Sequence, residues 1–217
     1  MIDRKSTLEA IRWGFVLFCL VPALFVSESV LGAGKPTDDA VDVVRGLAAD
    51  IWSSRSQQSE AGGRQQQLAK VIEAKTSIDL LSRLVLGKHW RSLESADRNE
   101  YQALFSQVVI GGLASRLDVL LHEIDGPLDQ HFAITGSEVT GKKDVFVRSK
   151  VAVDDGQSLS VDWRLREVDG DPVIIDLIVE GVSLLVSQRS EFAAVIERGR
   201  MDGLMESLRS RAQNSGF

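Results

Sequence analysis

The sequence predicts an α+β fold in which helices come first, an antiparallel sheet second and helices last. Three observations predict it. Apolar residues recur at three- and four-residue steps from Val41 to Leu121, the period of helices with one buried face. Past Gly126 and Pro127 the period drops to two: Val145, Val147, Val151 and Val153, then Leu159, Val161, Trp163 and Leu165, alternate with polar residues, as half-buried strands do. From Phe192 the three- and four-residue step returns. Helices segregated from strands, without strict alternation, give α+β and not a parallel α/β sheet.

The elements follow in order. Val41, Val44, Leu47, Ala48 and Ile51 share one face of a helix over Asp38–Ser54, with Asp38 or Asp39 at its favourable acidic start. The polar stretch Gln57–Gln67, holding Gly62 and Gly63, predicts a break before a second helix carrying Leu68, Val71 and Ile72. Thr76 or Ser77 caps a third, with Ile78, Leu81, Leu84 and Val85, which Gly87 ends. Ser95 offers a cap for a longer helix running to His122. Gly111 and Gly112 weaken its middle by about 1 kcal/mol each relative to alanine, so a kink or a close packing contact is expected there. Asp154–Gly156 and Val168–Asp171 read as hairpin turns, and Val173–Val179 as a more continuous apolar strand. In the tail, Phe192, Val195 and Ile196 precede Gly199, and Met201, Leu204, Met205 and Leu208 follow it.

At 217 residues with 44% hydrophobic content the chain can bury a sizeable core. Arg4, Lys5 and Arg12 flank an apolar run from Trp13 to Val26 that is short for a membrane span and interrupted by Pro22. A secretory signal peptide over residues 1–33 fits, with Gly32, Ala33 and Gly34 as the cleavage zone, and leaves one domain over 34–217; an uncleaved anchor is the alternative. Cys19 lies inside the run behind the bulky Phe18, which argues against lipidation, and the mature chain would carry no cysteine. The net charge of −6 argues against nucleic acid or an anionic membrane as a standing partner.

Little in the chain points to catalysis. His89, His122 and His131 sit in no nucleophile–base motif and lack zinc-ligand spacing. Asp154 with Asp155, and Asp169 with Asp171, fall at inferred turns, where aspartate bonds nearby amides. Neither GxxxxGK[ST] nor GxGxxG occurs, so ATP binding is not expected. The reading is a non-enzyme without cofactor or metal.

Glu180, Gly181, Val182 and Ser183, followed by Arg189, Ser190 and Phe192, resemble the EGVS…RSxF signature of the MlaC family, also called the toluene-tolerance family. The segment Ser82–Arg91, with Gly87 and Trp90, resembles the family's LG[RK]xW block, and the likeness extends over approximately Asp38–Leu208. The family is that of periplasmic phospholipid-binding components of a bacterial ABC transport system. The resemblance implies helices packed on a highly twisted antiparallel sheet enclosing an apolar lipid cavity, and a periplasmic carrier passing phospholipid between an outer-membrane lipoprotein complex and an inner-membrane ABC transporter.

The cavity candidates are Leu81, Leu84, Val85, Phe105, Val108, Val147, Val151, Val161, Trp163, Leu165, Ile175, Leu177 and Val179. Each also reads as a plain core residue, since core and cavity walls look alike in sequence. Gly181 is expected to let the strand turn into the helix, and Ser183 or Ser190 to cap it. Arg189 would pair with Glu180 or Asp176, or meet a lipid phosphate, with the structural pair favoured. Ser187-Gln188 replaces a common aromatic of the family, Asp171-Pro172 a tryptophan, and Gly111-Gly112-Leu113 a tyrosine. These departures leave the cargo open between phospholipid and a hopanoid or other hydrophobic lipid; an exported peptide-binding module or a serine hydrolase are the readings from other classes.

Overall fold

Residues 35–56, 61–153 and 157–214 are described by the computed structural model and lie within one unit, Ala33–Phe217. The expected signal segment and the Asp154–Gly156 turn fall outside the described residues. The helices are α1 (Lys35–Ser53), α2 (Ala61–Ala74), α3 (Ile78–Leu86), α4 (Ser95–Phe105), α5 (Gly111–Glu123), the single turn α6 (Leu128–His131) and α7 (Leu184–Asn214). The strands β1 (Phe132–Thr140), β2 (Asp144–Ala152), β3 (Ser158–Val168), β4 (Asp171–Val179) and β5 (Val182–Ser183) form one antiparallel meander in chain order. The α+β architecture expected from the sequence is therefore the one observed.

Local chemistry explains most boundaries. Ser77 caps α3, its hydroxyl accepting from Leu80 N at 3.3 Å, and Gly87 ends the helix at φ 59°. That left-handed geometry is why a glycine stands there. The break expected in the Gln57–Gln67 stretch precedes Ala61, the first residue of α2, so Gly62 and Gly63 lie within that helix. Ser95 is the first residue of α4 and not its cap; Glu94 occupies the cap position without a side-chain bond.

A π turn at Ser106–Ile110 joins α4 to α5. It adds a residue to the turn and so rotates the apolar stripe. Tyr101, Phe105 and Val108 consequently enter one core, with Phe192, Ile196, Leu204 and Leu208 of α7, while Ile110, Ala114 and Leu121 enter another, with Leu68 and Ile72 of α2. Ser95–His122 is apolar enough by composition to cross a membrane, and serving two cores accounts for that composition. The irregularity thus ends immediately before the glycine pair, with Gly111 N–H bonded back to the Ser106 carbonyl. Gly112 makes no close contact, since an added Cβ would meet nothing within 4 Å.

The third core lies between α1 and the sheet. Ala40, Val44 and Leu47 pack on Val145 and Val147 of β2, Val161, Trp163 and Leu165 of β3, and Ile174 of β4. Inside it the Trp163 indole donates to Ser149 Oγ at 2.9 Å, and Ser149 donates to the Val161 carbonyl at 2.7 Å, so no polar atom of this trio is left unpaired. The opposite sheet face is ionic. Arg164 and Arg166 both bond the Asp144 carboxylate, and Arg166 foremost, then Arg164, hold that carboxyl below its ordinary range against the opposing effect of burial.

Two hairpins are closed by two-residue turns with positive φ at both positions: Asp169 (54°) and Gly170 (95°) between β3 and β4, Glu180 (50°) and Gly181 (79°) between β4 and β5. This geometry matches the strand twist and selects Asp-Gly and similar pairs. In β4 the register slips so that Arg164 faces Asp176 and Leu165 faces Ile174, leaving Ile175 as the extra residue of a bulge. At that bulge Ile174 N donates to the Lys75 carbonyl at 3.0 Å, tying the α2–α3 turn to the sheet. The tail helix breaks at Arg200 (φ 57°, ψ −165°), one residue beyond Gly199.

Candidate functional site

The corner from β4 through β5 into α7 is built around one buried carboxylate. Asp176, 7% exposed, accepts from Leu185 N at 2.9 Å and from the Ser183 hydroxyl. Ser183 Oγ in turn accepts from Val186 N at 3.0 Å, so Ser183, not Ser190, is the cap of α7. Glu180 extends the pairing with β3: its N–H donates to the Ser160 carbonyl at 2.9 Å and its carboxylate accepts from Ser160 N. Gly181 serves the hairpin turn three residues before the start of the helix, and an added Cβ there would meet nothing within 4 Å, so only its φ demands glycine.

Arg189 pairs with neither Glu180 nor Asp176. Its Nε donates to the Leu84 carbonyl at 2.9 Å and its Nη2 bonds the same oxygen, fastening the first turns of α7 to the C-terminal end of α3. A helix C-terminus leaves carbonyls without intrahelical donors, and a guanidinium there meets both the bond and the dipole. Three residues on, Phe192 stands edge-on to Tyr101 and Phe105, with ring centroids 6.3 and 6.5 Å apart. Trp90, in the 3-10 turn Gly87–Ser92, tilts on Tyr101 and lies under the guanidinium groups of Arg83 and Arg98. Two blocks separated by about ninety residues in the chain therefore meet in one latch of α3, α4 and α7.

A cavity of 490 Å³ lies elsewhere, between α1, α2 and α5, lined by Trp52, Ser53, Arg55, Arg64, Leu121 and His122. Leu121, 7% exposed, belongs to the α2–α5 core, and Ile51 beside Trp52 packs on both that core and the α1–sheet core. The walls are cationic. Arg64 Nε bonds the buried Asp118, and its Nη2 is 2.5 Å from His122 Nε2, while His122 Nδ1 is 2.8 Å from the Asp118 carbonyl. A ring with Nδ1–H donating and Nε2 accepting satisfies both contacts. Arg55 donates to the carbonyls of Ile124 and Gly126 at the end of α5 and lies 4.3 Å over Trp52, whose ring also stacks on His131 at 5.3 Å. A second cavity of 220 Å³ sits beside the π turn, at Lys70, Glu73, Ser106 and Gln107.

A sequence profile of the MlaC protein family matches residues 42–210, most of the chain, from within α1 to within α7. The chain belongs to the MlaC family. Its fold is also similar to that of a solved structure from Ralstonia solanacearum, described as a phospholipid-binding protein in complex with a phospholipid, at a TM-score of 0.67 and 19% identity, covering 81% of this chain and 98% of that one. The residues that resemble the family's two sequence blocks meet here, Gly87 and Trp90 on one side of the latch and Arg189 and Phe192 on the other.

The residues singled out as MlaC lipid contacts divide between two cores. Leu81, Val85, Phe105 and Val108 lie in or against the helical core closed by α7. Val147, Val151, Val161, Trp163, Leu165 and Leu177 lie in or against the α1–sheet core. Ile175 is buried at the β4 bulge, and Leu84 and Val179 are half-buried. None of them lines the 490 Å³ cavity. Among the described residues no three His, Cys, Asp or Glu side chains cluster closely enough to hold a metal.

Of the cavity residues only Leu121 belongs to the helical period; Arg64 lies in the polar Gln57–Gln67 stretch, and His122 matches neither a nucleophile–base motif nor zinc-ligand spacing. The three-residue spacing of Trp52 and Arg55, which sets a guanidinium over a ring on one helical face, was the available clue.

Proposed function

We propose that this MlaC-family chain is a periplasmic phospholipid carrier, exported by residues 1–33 and acting as one domain over 34–217. It passes phospholipid between an outer-membrane lipoprotein complex and an inner-membrane ABC transporter. The observation that carries the reading is the family match across residues 42–210, and the likeness in fold to the phospholipid complex from Ralstonia solanacearum supports it. Physical chemistry supplies the reason for a protein carrier. Each exposed acyl CH₂ costs about 0.8 kcal/mol, so two ordinary chains cost roughly 20 kcal/mol or more in water.

The tails enter the α1–sheet layer. α1 supplies the buried helical residues over the apolar sheet face formed by Val147, Val161, Trp163, Leu165 and Leu177, with Val71 of α2 at its margin, whereas the latch that holds α7 belongs to a different core. Displacing α1 would open the first without disturbing the second. Val151 and Val179 extend the same surface toward the strand ends.

Transfer between vesicles tests the reading. Donor vesicles containing a fluorescent phosphatidylethanolamine with a non-exchangeable quencher should lose fluorophore to acceptor vesicles in proportion to added protein. Absence of protein-dependent transfer would overturn it, and preferential transfer of a polycyclic neutral lipid would assign the hopanoid cargo instead.

A further inference from the structure

We infer that the 490 Å³ cavity between α1, α2 and α5 is a headgroup subsite that takes the anionic phosphodiester of the lipid cargo between Arg55 and Arg64. This inference rests on the carrier reading above and adds to it the chemistry by which cargo is told from neutral lipid.

The geometry carries the assignment. Two guanidinium groups line one cavity, with side-chain exposures of 21% and 15%, so their positions are held by the walls and not by solvent. Each has donors left over. Arg64 uses Nε on Asp118 and Nη2 on His122, and Arg55 uses Nη1 and Nη2 on the carbonyls of Gly126 and Ile124. Among the described residues, Arg64 Nη1 and Arg55 Nε have no hydrogen-bond partner. An arginine fork presents five N–H donors suited to carboxylate and phosphate oxygens.

The charge balance agrees. One carboxylate, Asp118, is buried against Arg64, while Asp125 stands 3.6 Å from Arg55 with its own side chain fully in solvent. Water screens Asp125 and not Asp118, so Arg55 keeps more of its field than Arg64 does, in a chain of net charge −6. Its floor is apolar: Leu121 belongs to the α2–α5 core, and Ile51 beside Trp52 bridges that core to the α1–sheet layer. A cationic wall on an apolar floor, at the edge of the layer proposed for the tails, is the arrangement an amphiphile with a single phosphodiester requires. A volume of 490 Å³ falls in the range of about 300–1,000 Å³ that accommodates a drug-sized group, so the cavity holds a headgroup and leaves the acyl chains to the layer beyond.

The test uses the full mature chain and vesicles of phosphatidylethanolamine and phosphatidylglycerol, with dioleoylglycerol as the neutral competitor of equal chain length. Lipid bound to re-isolated protein is quantified by mass spectrometry. Wild type should load phospholipid in preference to dioleoylglycerol. Arg55→Gln, and Arg64→Gln combined with Asp118→Asn so that no buried carboxylate is left unpaired, should each lower that preference about tenfold. Folded variants with the wild-type preference would overturn the inference while leaving the carrier reading intact; a wild type that loads neither lipid would overturn both.

Labelling of the wild type with phenylglyoxal decides the matter independently of variant folding. Arg55 and Arg64 should be protected in phospholipid-loaded protein and not in dioleoylglycerol-loaded protein, and equal labelling would overturn the assignment. Saturable binding of inorganic phosphate between Arg55 and Arg64 that leaves bound phospholipid in place would give the site to the free ion and overturn it also.

Discussion

Replacing Asp176 by alanine should be the most damaging single truncation of the β4–β5–α7 corner. The side chain is 7% exposed and bonds Leu185 N at 2.9 Å and the Ser183 hydroxyl. Leu185 N belongs to the first turn of α7, where backbone N–H groups have no intrahelical acceptor. Hydrogen bonds to a charged group contribute about 1.5–3 kcal/mol each, and a carboxylate at a helix N-terminus adds about 0.5 kcal/mol. Allowing for partial rehydration of the half-buried Ser183 side of the pair, the loss should be about 3 kcal/mol. For a domain of this size that corresponds to a fall in Tm of about 6–12 °C. Urea denaturation followed by far-UV circular dichroism, with Tm from a thermal scan, measures it. Asp176→Asn keeps a carbonyl oxygen for Leu185 N and should lose about half as much. If Asp176→Ala shifts Tm by less than about 2 °C, the corner is not organised by this carboxylate and the reasoning fails.

Three further outcomes are expected. Ser149→Ala leaves the Trp163 indole N–H without its acceptor inside the α1–sheet core, which should cost about 2 kcal/mol in chemical denaturation; an unchanged midpoint would mean that water replaces the hydroxyl. Asp144→Asn should cost about 2 kcal/mol at neutral pH, a discounted figure because Arg164 and Arg166 are 33% and 28% exposed. The Asp144 carboxyl is held below its ordinary range in the folded protein, so its stabilisation is present above that range and lost as pH falls through the folded value; the gap between wild type and variant should close on acidification, and a gap that widened would contradict the sign. Arg200→Gly relieves a backbone conformation that side chains disfavour, and after the entropic cost of glycine should raise Tm by about 2–4 °C, whereas a lower Tm would show that the Arg200 side chain matters more than its φ.

Much of the fold could be read from the chain because its signals are local. The Ser77 cap, the Gly87 stop, the Asp169-Gly170 turn and the alternation of Val161, Trp163 and Leu165 each follow from one residue's conformational preference or from a simple period. The features that were missed depend on tertiary partners. β1, over Phe132–Thr140, is an edge strand with mostly polar, exposed positions and a register slip near Gly136, so neither alternation nor composition announces it. The π turn at 106–110 arises because one long helix must face two cores; the adjacent Gly111-Gly112 pair marks a weak point in the helix but not the extra residue. Arg189 is bonded to a carbonyl 105 residues away, a contact that no spacing encodes. The candidate headgroup cavity is assembled from three helices and carries no motif at all.

The central claim is that the mature chain carries phospholipid, and native mass spectrometry of freshly purified protein tests it most directly. The account predicts a population heavier than the polypeptide by the mass of a phospholipid, identified by fragmentation and removed on organic extraction. Protein that is uniformly of polypeptide mass, and remains so after incubation with phosphatidylethanolamine and phosphatidylglycerol vesicles, would contradict it.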